Sequence, residues 1–391
     1  MENPLIFWFI AISTLLVIYH HLGYPLLLKI LVYCFFSTHE GLIPPIRGYR
    51  NTKADNILPT IAILMPAYNE AQWIADKIRN LASVDYPNNK LRVIVVCDGC
   101  SDDTAQITRQ TGKEDACKHL DITVVEYAIN EGKVSIINKS MSLVHEDIVA
   151  MSDISSLISI DALLIASKHF ENLSVGVVNS CYHLLSPTNG EKKYWDYQNT
   201  LQHREAKMGA TLGAHGALYL IRRRLFAPLA ADTINDDFVL PMSIMVQGYR
   251  VNSDDTINAI ELEPTNANQD FNRRIRIGAG NYQQLIRLTA LLNPKYGGVA
   301  FTFASGKALR VVMPFFMLIA LGGWMWLAQY HILFAIGTAV QLFIYAVVAA
   351  ITMLNVAPKN TLIVTLCYLV SGHAANMIGT LKYIVSPKSW R

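Results

Sequence analysis

The chain has 391 residues, of which 52% are hydrophobic and only 16% charged, against roughly a quarter charged in an average soluble domain. That composition excludes a disordered or acidic-tail protein and argues against an ordinary cytosolic enzyme. The formal charge of +3 hides a middle region in which acids and bases nearly cancel, leaving no basic surplus for a nucleic-acid footprint.

Pro4 to Phe36 is one apolar run with a single charge, Lys29, and a break at His20-His21-Leu22-Gly23-Tyr24-Pro25. It has neither the basic start nor the small-residue cleavage site of a signal peptide. The run therefore reads as a retained span of about 20 residues, continued near the membrane surface. Arg47, Arg50 and Lys53 follow this span and nothing basic precedes it, so the excess of positive charge predicts a cytosolic middle domain.

Between residues 57 and 182 short apolar runs alternate with helical patterns. Strands are expected at Thr60–Pro66, Leu91–Cys97, Ile122–Glu126, Ile148–Ser152 and Val175–Tyr182, and helices near 69–83, 103–112, 133–145 and 160–171. Such alternation predicts an α/β domain with a mostly parallel, twisted sheet covered on both faces. Ligands then bind beyond the carboxyl ends of the strands. The segments expected there are polar: Pro66-Ala67-Tyr68-Asn69-Glu70, Asp98-Gly99-Cys100-Ser101-Asp102-Asp103-Thr104, Asn130-Glu131-Gly132-Lys133 and Ser152-Asp153-Ile154-Ser155-Ser156. Each alone reads as a turn or helix cap. Four in succession on one edge point to a site.

Six cysteines are scattered along the chain: Cys34, Cys97, Cys100, Cys117, Cys181 and Cys367. Cys97-x-x-Cys100 with Cys117-x-His119 has the spacing of a zinc site. Yet Cys97 closes an apolar strand and Cys100 lies in a site loop, so no metal is expected there, and a cytosolic face implies reduced thiols.

Farther along, Trp195 and Tyr197 are read as core rather than as sugar-stacking platforms. Gly213-Ala214-His215-Gly216-Ala217-Leu218-Tyr219 follows, and then Thr233-Ile234-Asn235-Asp236-Asp237-Phe238 leads into an amphipathic helix ending at Gly248-Tyr249-Arg250-Val251. The basic cluster Arg273-Arg274-Ile275-Arg276-Ile277 precedes an interfacial helix over 281–292. Val311 to Pro358 carries no Lys, Arg, Asp or Glu and is long enough, at ~1.5 Å per helical residue, to cross a ~30 Å core twice. Spans are expected near 311–328 and 332–354, turning at Gln329-Tyr330-His331, with a third at 361–381. Lys359 then falls in a cytosolic loop, and Lys388, Trp390 and Arg391 fall outside. No acidic residue follows position 310, which disfavours an ion-driven transporter.

The ordered motifs, with one span before and three after, resemble the membrane-embedded family 2 glycosyltransferases of GT-A fold, the group that includes cellulose, hyaluronan, chitin and Nod-factor oligosaccharide synthases. The likeness covers about residues 58–285. It implies that Ala67, Tyr68, Glu70 and Asp98 cradle the uridine of a UDP-sugar and that Lys133 faces its diphosphate, offsetting charge that grows as the sugar leaves. It implies further that Asp153 and Ser155, at the position of the family's Asp-x-Asp, bind a ribose and a Mg2+ or Mn2+ ion. Ser155 replaces the second carboxylate, which lowers the expected affinity for a hard cation. Asp237 matches the general base of an inverting transfer, a role that needs a carboxylate within hydrogen-bond reach of the acceptor hydroxyl. Asp236 either tunes that base or caps its helix.

His215 stands in the acceptor-side segment, either on acceptor hydroxyls, beside the diphosphate, or simply buried. Arg274 and Arg276 match the cations of the Gln-x-x-Arg-Trp motif of processive members and would clamp the diphosphate. The alternative for this cluster is anionic lipid headgroups. Arg273 and Ile277 replace the Gln and the Trp.

The expected organisation is a span over 1–37, a linker over 38–56, a cytosolic catalytic domain over 57–280, interfacial helices over 281–308, three spans over 309–384 and a tail over 385–391. The expected activity is inverting transfer from a UDP-sugar to a growing saccharide at the bilayer. Its rivals are a single addition to a lipid-linked oligosaccharide and a non-catalytic membrane partner.

Overall fold

The computed structural model describes residues 4–36, 50–187, 189–264, 267–354, 358 and 360–387. Arg47, Lys359, Lys388, Trp390 and Arg391, with most of the expected linker and tail, lie outside the described residues. The chain divides into two compact units. One holds the described residues from Phe36 to Pro264; the other holds those before and after.

The first unit is built on eight strands: β1 Ile61–Ala67, β2 Leu91–Asp98, β3 Asp121–Tyr127, β4 Ile148–Met151, β5 Ser156–Ile158, β6 Val175–Leu184, β7 Tyr219–Arg222 and β8 Arg250–Glu261. They form one sheet in the order β3-β2-β1-β4-β7-β6-β8-β5. β1 pairs in parallel with β2 (Ile61 opposite Leu91, Ala67 opposite Cys97) and with β4, and β2 pairs in parallel with β3. Ile61, Ile63, Leu64 and Met65 on β1 are fully buried, as expected for a strand covered on both faces. Each such side chain contributes about 1.5–3 kcal/mol.

All five expected strands form, within two residues of their expected bounds. The far half of the sheet is mixed rather than parallel, because β7 runs antiparallel to both β4 and β6, and β5 antiparallel to β8. This reversal shapes the site. Tyr219, the first residue of β7, lies opposite Met151, the last residue of β4. The 213–218 segment therefore arrives at the same edge that β1, β2, β3 and β4 leave. The helix Asp236–Val246 also begins there, since β8 follows it back across the sheet from Arg250.

In the other unit, four helical stretches among the described residues are long and apolar enough to cross a membrane: Pro4–Phe35, Gly298–Leu327, Ile332–Met353 and Thr361–Val385. The expected break at His20–Pro25 is a π-turn, Tyr19–Gly23, inside a continuous helix, with Pro25 in the first turn of the following α segment. Proline lacks an N–H to donate, and one wider turn accommodates it without ending the helix. The helix Ala267–Arg287 belongs to this unit and carries the whole 273–277 cluster; the boundary expected at 280 falls inside it. Asn376 donates to the carbonyls of Arg310 and Val311 at 3.0 and 3.3 Å, a polar tie between two apolar helices.

Candidate active site

The loops leaving β1 and β2 are laced together. Asn69 Oδ1 accepts the Ser101 amide at 2.8 Å, Thr104 Oγ1 accepts the Glu70 amide at 2.8 Å, and Asp102 Oδ2 accepts the Ala71 amide at 3.0 Å. Ser101 and Asp102 thus hold the first loop in place as well as preceding their own helix. Ala67 is buried and Tyr68 exposed.

Asp98 is buried, and both of its carboxylate oxygens are engaged: Oδ1 accepts the Glu131 amide and Oδ2 the Gly132 amide, each at 2.8 Å. This fastens the end of β2 to the loop carrying Lys133. Gly99 permits the junction. Its φ is +65°, and a Cβ there would come 2.3 Å from the Asn130 nitrogen, so only glycine fits.

Lys133 opens the helix Lys133–Ser140. Its Nζ lies 2.8 Å from Asp153 Oδ1 and 3.8 Å from Asp236 Oδ2. Burial alone would push the ammonium down, but Asp153, Asp236 and Asp237 more than reverse this and hold its proton well above the usual lysine range. Burial likewise pushes Asp153 up, while Lys133, His215 and Lys77 bring it below the ordinary carboxylate range. The Lys133 side chain remains 40% exposed, so a ligand can reach it.

Gly216 packs against Asp153. Its carbonyl accepts the Asp153 amide at 3.1 Å, and a Cβ on Gly216 would meet Asp153 Oδ2 at 2.6 Å. The neighbouring His215 ring stacks on Tyr182, with centroids 3.6 Å apart and planes 19° apart, and meets Trp195 edge-on at 5.3 Å. Trp195 is partly buried against the sheet core, whereas Tyr197 is exposed and Tyr182 buried. Sequence reading puts Tyr182 at a strand end and Gly216 in the acceptor-side segment, and misses that the first carries the His215 ring and the second packs on Asp153.

Asp236 and Asp237 form the first turn of their helix, where the helix dipole favours negative charge. Asp236 is buried, and its Oδ2 has no hydrogen-bond partner. Asp237 is half-buried, its carboxylate acts on Lys133, and its carbonyl accepts the Ala214 amide at 2.8 Å. Glu70 is partly buried. Burial first, and then the charges of Asp153, Glu263, Glu261 and Asp102, push its carboxyl up to about 7.

A divalent cation needs oxygen ligands, often one or two carboxylates plus substrate phosphates. Asp153 Oδ1 and Asp236 Oδ2, the latter accepting no hydrogen bond, already face one cationic centre at Lys133, so the donor set fits such an ion once a diphosphate adds its oxygens. Ser155 is buried, and its carbonyl is taken by the Leu262 amide at 2.9 Å. Among the described residues no three His, Cys, Asp or Glu side chains converge as a metal-holding group.

The structure thus gathers Glu70, Asp98, Lys133, Asp153, His215, Asp236 and Asp237 at one edge of the sheet. Arg274 and Arg276 lie on the helix of the other unit. There the Arg274 guanidinium covers the Tyr368 ring at 4.5 Å, while Arg276 is exposed. Sequence reading also missed Lys77. Its signal was present, a lysine on the apolar face of a helix otherwise formed by Ile74, Ile78 and Leu81.

A family model described as glycosyltransferase like family 2 matches residues 59–279. Among curated proteins, the chain is 22% identical over 236 residues to the poly-beta-1,6-N-acetyl-D-glucosamine synthase of Staphylococcus epidermidis, covering 58% of this chain and 56% of that protein. It is 25% identical over 237 residues to the beta-monoglucosyldiacylglycerol synthase of Trichormus variabilis, covering 59% and 50%. The chain therefore spans about half the length of these curated relatives. Among solved structures, a mannosyltransferase from Pyrobaculum calidifontis in complex with GDP-Man and Mn2+ superposes with a TM-score of 0.71 at 22% identity, over 96% of this chain and 99% of that one. At that identity the match speaks for the fold, which is GT-A with appended apolar helices.

Proposed function

The chain belongs to the family 2 glycosyltransferases, and on that premise we propose that it transfers a hexose unit from a UDP-sugar, with inversion, to a growing saccharide at the membrane. The observation that carries the reading is Lys133 held between Asp153 and Asp236 at the carboxyl edge of the parallel strands. A cation fixed there suits a diphosphate leaving group. Asp98 supports the nucleotide end by pinning the Lys133 loop, with Ala67, Tyr68 and Glu70 on the facing loop. Asp237, beside the same cation, is the proposed base for the acceptor hydroxyl, and His215 the proposed acceptor contact. Asp153, with Asp236 and Ser155 near it, is the proposed seat of Mg2+ or Mn2+, which when bound would neutralise the diphosphate. Arg274 and Arg276 are proposed as cations for a diphosphate, with anionic lipid headgroups as the alternative, and the first unit is proposed to face the cytosol.

A second reading rests on Ile277, which is 37% exposed where polymerising members carry a Trp as an acceptor platform. It makes the enzyme a single-addition transferase acting on a lipid-linked acceptor. Purified protein given a panel of radiolabelled UDP-sugars and GDP-mannose separates the readings. A ladder of rising size supports elongation, a single extracted glycolipid supports the second reading, and turnover of GDP-mannose alone refutes the UDP assignment.

A further inference from the structure

Lys77 is fully buried, on the face of the helix Ile74–Ala82 that fills the core with Ile74, Ile78 and Leu81. A leucine or methionine would complete that face. An ammonium placed there instead is costly unless it is well bonded. Its Nζ donates to Ser152 Oγ at 2.7 Å and to the Ser156 carbonyl at 2.5 Å. These two residues flank the turn Asp153-Ile154-Ser155. Ser152 Oγ in turn donates to the Ala217 carbonyl at 2.7 Å, which extends the tie to the 213–219 segment that packs on Asp153. The negative groups acting on Lys77 are Asp153 and Glu261, and among the described residues no carboxylate forms a salt bridge with it. Burial pushes this amine down to about 7, and its hydrogen bonds go to the two ends of the turn rather than to an ion pair.

We infer that Lys77 is a positioning residue for the donor site: it clamps both ends of the 153–155 turn from beneath and fixes the direction in which Asp153 faces the donor. This rests on the reading of Asp153 as a donor-site carboxylate.

The test is a double-mutant cycle on the full-length, detergent-solubilised protein, with tritiated UDP and GDP as probes and Mn2+ titrated against each. Lys77→Met, matched in length and apolar, should keep its circular dichroism and shift the thermal midpoint little, because relief of a desolvated amine opposes the loss of its two hydrogen bonds. It should nevertheless weaken nucleotide binding tenfold or more and raise the Mn2+ concentration needed for half-saturation. In an Asp153→Asn background the same substitution should cost less than twofold, since its effect runs through Asp153.

Equal losses in both backgrounds, or nucleotide affinity unchanged by Lys77→Met, would overturn the inference while leaving the donor-site reading intact. If instead Asp153→Asn leaves binding unchanged, or the wild type binds neither nucleotide, the donor-site reading fails and takes this inference with it. Should Lys77→Met not fold, Ser152→Ala removes one end of the clamp and should weaken binding three- to tenfold in the wild-type background only; no such difference between backgrounds overturns the inference.

Discussion

The α-carbon of Gly216 faces the Asp153 carboxylate so closely that a Cβ built on it would stand 2.6 Å from Oδ2. The opposite oxygen is the one that meets Lys133. One methyl group therefore pushes directly on the carboxylate of the proposed donor site. Gly216→Ala should lower kcat/KM for the sugar nucleotide at least tenfold and cost about 1–3 kcal/mol in stability. Steady-state kinetics beside a thermal melt checks both, and kinetics within twofold of wild type would remove Asp153 from the mechanism.

The paired acids at the start of the helix Asp236–Val246 should separate in function. Asp237→Asn removes the proposed base and leaves in place the Asp153 and Asp236 contacts to Lys133, so kcat should fall 10²–10⁴-fold with nucleotide affinity nearly unchanged. Asp236→Asn removes a buried charge facing Lys133 and should act mainly on donor KM. Equal effects of the two substitutions on both parameters would mean that the acids serve only as a negative cap for the helix.

Glu70 sets a pH dependence. In the folded protein its carboxyl is pushed from 4.5 up to about 7, by burial and then by Asp153 and its acidic neighbours. The folded state holds this proton more tightly than the unfolded chain. The associated stability is therefore complete below about pH 4.5 and is lost as pH rises through about 7. Relative to Glu70→Gln, the wild type should lose about 1–3 kcal/mol between pH 4.5 and 7.5. Thermal midpoints of both proteins across that range measure the difference, and parallel curves would refute it.

Much of this was legible beforehand, for identifiable reasons. Strands β1 to β4 announce themselves as apolar runs, and polar residues after each run mark the site edge, because parallel strands must all leave on one side. The antiparallel β7 was not legible. Tyr219–Arg222 has four residues, too few for a period, and its direction follows from pairing with β4 rather than from its own composition. Lys77 was hidden for another reason. Its spacing with Ile74, Ile78 and Leu81 marks the apolar face, but a lysine on a helix reads as solvated, and what its amine bonds appears only when the fold brings the serines at 152 and 156 beneath it. The role of Asp98 was visible as chemistry but not as geometry, since nothing in the sequence says that its two oxygens reach amides more than 30 residues downstream.

Asp98 accepts the Glu131 and Gly132 amides with separate oxygens at 2.8 Å, so it orders the loop immediately before Lys133. An asparagine can accept only one of the two and turns an N–H toward the other, which costs about 1–3 kcal/mol for the stranded donor. If Asp98 acts through the loop, Asp98→Asn should weaken UDP, CDP and GDP by a similar factor, roughly ten, because the displaced group is the lysine that faces a diphosphate common to all three. If Asp98 instead reads the base directly, the loss should fall on UDP and spare the others. Competition binding with the three nucleotides decides between these. The two amide contacts favour a uniform loss, and a loss confined to UDP would show that this carboxylate leaves the loop when the donor arrives.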